Sequence, residues 1–348
     1  MTLHGVLSRA ARNGQCDVVR YRGREIVGTP SEVREGLAAR DGSLIAPQGL
    51  LSIGAVPSMD SALATEVIRS MSNAFLQAWR FSLQSISPEG PWPDCIYPAL
   101  AKSAGESLLG SNLSGFDAAV NYLAGGLLRG RGTWKPLRGS DRRELLESFL
   151  RLQITSDSSE PASIITRGSA RVDEGARSQW VASIVVNLLT AMISPLASAA
   201  SWLALEIATG EAPLTIGQES SFIREVLRLH PPAWVISRIV ETETAGNQYK
   251  YFSPYLAHRH PNYFDKSNKF DPSRWGESAR HNPAYLPFGA GVYGCPGGGL
   301  AMGVLRETVP WLTTSVLRPR HYRYRPRREV GPVLYPAPFH LARVGSGR

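Results

Sequence analysis

Ser178 to Leu205 is a run of 28 residues without one formal charge. As a helix it would extend ~42 Å, enough to cross a bilayer. A chain carrying it must either thread a membrane or wrap its other segments around that helix. Ser183, Asn187, Thr190, Ser194, Pro195, Ser198 and Ser201 interrupt the run, and no other segment has a membrane character. The expectation is a buried central helix, with a transmembrane span as the alternative. The first 23 residues, MTLHGVLSRAARNGQCDVVRYRG, lack the long apolar core of a secretory signal or anchor, so the expected location is the cytoplasm.

The 348 residues are 43% hydrophobic and 19% charged, which suits a globular chain with a large core. By length alone, two domains of ~150 residues or one large, mostly helical domain are both open. Cys16, Cys95 and Cys295 are odd in number and widely spaced, against a disulfide framework and for a reducing compartment. There is no C-x-x-C pair for zinc. Arginine dominates the basic residues, and the formal charge is +9. Arginines alternate with Tyr322 and Tyr324 in RPRHYRYRPRR, residues 318–328, as in some nucleic-acid strips. No nucleic-acid fold motif accompanies them, so the segment reads as a solvated face or a docking face for an acidic electron-transfer protein.

Local patterns organise the rest. Asp17 to Leu37 reads as two short strands and a helix opened by Thr29-Pro30-Ser31. Apolar spacing of three and four predicts helices over Ala62–Leu83 and Cys95–Leu109, the second stopped by Gly110. A further helix is expected near Asp141–Ile154, and Thr155 to Ser178 reads as a polar loop. Glu219–Leu229 is a helix stopped by Pro231-Pro232, and a last helix runs from about Gly298 to Val316.

Residues 288–301, FGAGVYGCPGGGLA, carry two signatures at once. Gly289, Gly291 and Gly294 fit the G-x-G-x-x-G turn of dinucleotide sites, but that turn needs a preceding strand and an acidic residue about 20 positions later. Here Pro283 and Pro287 precede it and Leu312-Thr313-Thr314 follow. The second reading is a loop that presents Cys295 to a metal: glycines let the backbone press against a flat ligand, and a helix N-terminus favours the thiolate. An inert buried cysteine in a glycine-rich turn is the alternative from the loop alone.

Three motifs in order carry a resemblance. Phe288-Gly289-x-Gly291-x-x-x-Cys295-x-Gly297 resembles the haem-binding loop of the cytochrome P450 superfamily. Glu225-Val226-Leu227-Arg228 resembles its E-x-x-R helix, and Phe270-Asp271-Pro272-Ser273-Arg274-Trp275 resembles its meander. The resemblance implies a mainly α, P450-like fold with a smaller β region, residues 1–348 forming one haem domain. It implies a buried network of Glu225, Arg228 and Arg274, haem b with Cys295 as thiolate ligand, and a long distal helix over Ser178–Ile207. Phe288, Gly289, Tyr293 and Gly297 would cradle the haem, and Arg238 and Arg69 would hold its propionates. Trp134-x-x-x-Arg138 has the letters of a propionate motif but lies too close to the long helix.

Against the family pattern, Tyr293 stands where an Arg or His is usual. The distal A-G-x-[D/E]-T is replaced by Ala191-Met192-Ile193-Ser194-Pro195, with no acid and with proline in place of the motif's alcohol. Ser194 or Ser198 would then carry the proton relay, Pro195 setting the helix kink. The His258-x-His260 pair reads as a turn rather than a metal site, and His230 as a helix-end residue. The implied function is oxidation of a hydrophobic small molecule in bacterial secondary metabolism, with electrons from an acidic ferredoxin. Peroxide-driven or non-oxidative haem chemistry, and a haem-poor partner-binding scaffold, are the alternatives. Compared with soluble members the chain is short, chiefly at its N-terminus and between Gly110 and Gln179.

Overall fold

The computed structural model describes residues 2–38, 61–110, 112–130, 139–210, 214, 217–240, 248–276, 282–291, 294–314, 316–319, 328–330 and 333–344. Helix α1 (Leu3–Arg12) is capped by Thr2, whose Oγ1 accepts from Gly5 N at 3.2 Å. Strands β1 (Val18–Tyr21) and β2 (Arg24–Val27) form an antiparallel hairpin, and α2 (Pro30–Ala38) follows with proline in its first turn. Then come α3 (Ser61–Ser85), β3 (Gly90–Trp92), α4 (Tyr97–Leu109), α5 (Phe116–Gly130), α6 (Gly139–Leu150), α7 (Glu160–Gly168), α8 (Arg177–Thr209) and α9 (Glu219–Leu229). The remaining elements are β4 (Ile236–Val240), β5 (Gln248–Phe252), α10 (Pro254–Ala257), α11 (Gly298–Thr313), β6 (Leu317–Pro319), β7 (Arg328–Val330), β8 (Leu334–Pro336) and β9 (Phe339–Arg343).

The core is helical and α8 is its axis. On α3 the buried side chains Val67, Ile68, Met71, Phe75, Trp79 and Leu83 recur at three- and four-residue steps, which makes one apolar stripe. That helix packs on α4, α7 and α11, while α8 touches α4, α6, α9, α11 and β8. Trp79 Nε1 donates to Thr308 Oγ1 at 3.1 Å, tying α3 to α11 through a polar contact inside the apolar core. Most of α8 is buried. Its lack of charge follows from its place among other helices, since an unpaired charge there would be costly. The central-helix expectation holds, and the bilayer alternative does not describe this packing.

A second, smaller core lies under a sheet ordered β1-β2-β5-β4, in which β2 and β5 pair in parallel at Ile26↔Tyr251 and Val27↔Phe252. Strand β9 joins β3 and β6, and β7 pairs with β8. The expectation of a loop over Thr155–Ser178 is corrected: α7 forms there. Ser159 accepts from Ala162 N at 3.0 Å and Pro161 sits in the first turn, while Ala162, Ile164 and Ile165 are buried. A Ser-x-Pro start outweighed the polar composition. The sequence reading also passed over α1 and α5.

Candidate functional site

Helix α9 supplies a heavily bonded buried ion pair. Glu225 and Arg228, three residues apart on one helical face, are both fully buried. Arg228 Nε and Nη2 donate to Glu225 Oε2 and Oε1 at 2.8 and 2.7 Å. From the meander, Arg274 Nε and the Asp271 N–H reach Oε1 at 3.1 and 2.9 Å, and Trp275 Nε1 reaches Oε2 at 2.9 Å. The three-residue network expected from the motifs is therefore formed. Arg228 goes on to donate to the carbonyls of His258 (2.8 Å) and Lys269 (3.0 Å), so both carboxylate and guanidinium are satisfied, as buried charges must be.

His258 extends this network toward the cysteine loop. Its Nδ1 lies 3.1 Å from the Arg228 carbonyl, and its Nε2 accepts from Leu286 N at 2.8 Å. One nitrogen donates and the other accepts, which requires the neutral ring. Burial pushes its pKa down to about 3, and the nearby Arg228 and Arg259 charges add to that. Leu286 in turn accepts from Gly289 N at 3.2 Å, and Cys295 N donates to Phe288 O at 2.7 Å. A continuous chain of bonds thus runs from the α9 ion pair to the turn that carries Cys295.

Within that turn Gly289 and Gly291 have φ of 74° and 65°, a region costly for other residues. A Cβ on Gly291 would also lie 2.5 Å from the Ala38 Cα at the end of α2. Phe288 is half-buried against Gly298. Cys295 is exposed, unlike Cys16, and forms no disulfide. Close backbone packing nevertheless desolvates its thiol and raises the pKa, with the Gly297 N–H opposing. A cation beside the sulfur would favour the thiolate.

One face of α8 is open midway along the helix, beyond its exposed first turn. Ala191 is exposed and Asn187, Thr190, Ser194 and Pro195 are half-buried, whereas Met192, Ile193 and Leu196 are buried. Ser194 lies on this face and is anchored from behind. Its Oγ lies 3.2 Å from Tyr97 OH, its carbonyl accepts from Tyr335 OH at 2.5 Å, and the two tyrosine hydroxyls bond each other. Ser198 does not join the open face. It is fully buried and donates to Leu334 O at 2.7 Å, as Trp202 Nε1 does at 2.9 Å, so its hydroxyl holds β8 on α8.

The other expected residues fall in separate places. Arg238 is buried on β4 and its Nη1 donates to Ser237 O at 3.2 Å. Arg69 is exposed on α3. Tyr293, Trp134, Arg138 and most of the arginine-tyrosine strip lie outside the described residues, though Arg318 Nη1 bonds Ala208 O at 2.9 Å. His260 pairs with Asp17 at 3.0 Å, and no metal-ligating cluster occurs among the described residues. His230 caps α9, stacks on Trp202 at 3.7 Å and meets Glu206 at 2.9 Å. The roles of Tyr97, Tyr335 and His258 had no local sequence signal.

The family model described as cytochrome P450 matches residues 220–312, the segment holding the buried ion pair, the meander and the cysteine loop. A mutant of P450 EryK in complex with erythromycin B superimposes with a TM-score of 0.66 over 98% of this chain and 96% of that one, at 19% identity. Residues 220–312 are thus similar to the cytochrome P450 family, and the chain shares a P450 fold over nearly its whole length. A mutant of cytochrome P450SP alpha gives 0.67 over 98% and 97%, at 14% identity. Similar sequences include cyclooctat-9-en-7-ol 5-monooxygenase of Streptomyces melanosporofaciens, 38% identical over 115 residues, which are 30% of this chain and 24% of that protein. Pentalenene oxygenase of Streptomyces avermitilis is 30% identical over 132 residues, 35% of this chain and 28% of that protein. The matched stretches span about a quarter of the length of these relatives.

P450 proteins carry a haem whose iron is bound by a cysteine thiolate. The residues here fit that group. A single soft sulfur donor is exposed on a turn whose glycines present backbone in place of side chains, and the Gly297 N–H lies against the sulfur. Such a donor set suits iron.

Proposed function

We propose that this protein is a haem-thiolate monooxygenase of a hydrophobic, terpene-like small molecule in bacterial secondary metabolism, with the whole chain acting as one haem domain in the cytoplasm. The observation that carries the proposal is Cys295, exposed on a strained glycine turn and braced by bonds leading back to the buried Glu225–Arg228 pair. Haem b is the expected cofactor, with Cys295 as its axial ligand, Phe288, Gly289 and Gly297 shaping the turn against it, and Arg238 and Tyr293 pairing with its propionates. Arg69, exposed on α3, has no part in the proposal. When bound, a thiolate-held haem supplies the electron donation that favours O–O cleavage.

The open face of α8 shapes the opposite side. Ala191 and Pro195 leave it without a polar side chain at those two positions, Ser194 presents a hydroxyl fixed by Tyr97 and Tyr335, and Pro195 removes a backbone donor. The named substrates of the relatives support a terpene skeleton; one name ends as an alcohol and the other as a hydrocarbon. The positive charge, +9, supports an acidic ferredoxin as electron donor.

Peroxide-driven chemistry is the second reading, favoured by one observation: no carboxylate occupies the open face of α8 between Asn187 and Pro195. Turnover of a terpene panel with a ferredoxin–reductase chain, and separately with hydrogen peroxide, separates the two. The first reading predicts product only when the reductase chain is complete. Product with peroxide alone supports the second, and no product from haem-loaded protein under either condition contradicts both.

A further inference from the structure

Hydroxyl groups inside helices usually return to the backbone one turn earlier, and this chain shows the habit repeatedly. Ser201 donates to Ala197 O at 2.6 Å, Thr166 to Ala162 O at 2.8 Å and Thr308 to Val304 O at 2.8 Å. Two hydroxyls of α8 neither do so nor find another partner. Ser183 Oγ and Thr190 Oγ1 are shut off from solvent and have no hydrogen-bond partner among the described residues. Seven residues apart, they lie almost in line on one helical face, and Asn187 and Ser194 fall on the same line.

That line has distinct ends. Ser183 is 1% exposed at the start. Asn187 and Thr190 are half-buried and lead into the exposed Ala191. At the far end the Ser194 hydroxyl bonds Tyr97 and the Ser198 hydroxyl bonds Leu334 O, so both already have partners. Thr190 and Ser183 are left as buried, unpaired oxygens, Thr190 next to the exposed Ala191 and Ser183 two turns back along the helix. Native proteins rarely leave such groups unpaired, and a bound molecule that supplies the partner removes the penalty.

We propose that Thr190, with Asn187 one turn before it, is a hydrogen-bonding site for an oxygen atom already present on the substrate, and that Ser183, two turns before it, lies at the far end of the same polar line. The substrate is then an alcohol or ketone on an otherwise apolar skeleton, not a bare hydrocarbon. A hydroxyl can donate or accept, so either group suits it. No charged side chain stands on α8 between Ser178 and Leu205, which disfavours a carboxylate or an amine, since a charge buried there would lack a partner. The protein accordingly acts after a reaction that installs oxygen, either an earlier oxidation or a cyclisation that ends in capture of water. This rests on the haem-thiolate reading above.

The test uses haem-loaded wild-type protein, Thr190→Val and Ser183→Ala, with the tricyclic alcohol cedrol and its parent alkane cedrane as probes. Binding is read from the change in the haem absorption band and folding stability from thermal unfolding. Cedrol should bind wild type at least ~10-fold more tightly than cedrane, equivalent to about 1.4 kcal/mol. Thr190→Val should erase most of that preference, leave cedrane affinity unchanged and keep or raise the melting temperature. Absence of a preference in wild type, including failure of both probes to bind, overturns the inference. So does a preference that survives both substitutions. A clear fall in melting temperature for Thr190→Val would show that its hydroxyl is already paired within the chain, with the same result. If the protein lacks a thiolate-type haem spectrum before any probe is added, the haem reading itself fails and takes this inference with it.

Discussion

Glu225 gathers donors from two separate stretches of chain: Arg228 on its own helix, and Asp271, Arg274 and the indole of Trp275 in the meander. Removing its charge leaves Arg228 buried without a counter-charge, so Glu225→Gln should lower unfolding free energy by about 3–5 kcal/mol, measured by urea denaturation. His258 makes stability depend on pH. Its folded pKa of about 3 lies below the ordinary value of 6.5, so between these values the unfolded chain binds a proton that the folded chain does not. Stability should therefore be intact above pH 6.5 and fall as pH drops toward 3, by up to about 1.4 kcal/mol per pH unit. Denaturant titrations at pH 7, 6, 5 and 4.5 check this; a flat profile from 6 to 4.5 would contradict it. At this scale the ion pair was legible, because its partners are three residues apart and flanked by motif. His258 was not, since it bonds Arg228 and Leu286, 30 and 28 residues away.

At the scale of the element, α8 was legible from its missing charge and α9 from its Pro-Pro stop. Periodicity gave α3 and α4 their limits within two residues. Composition misled for α7, where the cap and the buried Ile164 and Ile165 are local signals that the polar surroundings masked. The docking of β8 on α8 had no signal, because it depends on single hydroxyl and indole contacts between segments more than 130 residues apart. Tyr335 is the key to that docking beside Pro195. Tyr335→Phe keeps the ring but removes the bonds to the Ser194 carbonyl and to Tyr97. It should destabilise by about 1–3 kcal/mol through the buried groups left unpaired, read as a lower urea midpoint with unchanged slope.

For the whole molecule, the order of the three motifs was enough to anticipate a mostly helical protein around one apolar helix with a smaller sheet. The sequence did not reveal which positions on that helix stay open. Ala191, Ser194 and Ser198 are near neighbours in sequence, yet one is exposed, one is half-buried and one is sealed under β8. Nor could it show that the cysteine loop abuts the end of α2, where Gly291 meets Ala38. Both depend on how elements distant in sequence pack together, which no local pattern records. The most direct measurement is the absorption spectrum of wild type and Cys295→Ala, purified after expression with added haem, oxidised and then reduced under carbon monoxide. Wild type should show the strongly red-shifted band of a thiolate–iron–CO complex, and the variant should lose it while keeping its helical circular dichroism. A well-folded wild type without that band, or a variant that retains it, would contradict the assignment of Cys295 as the iron ligand.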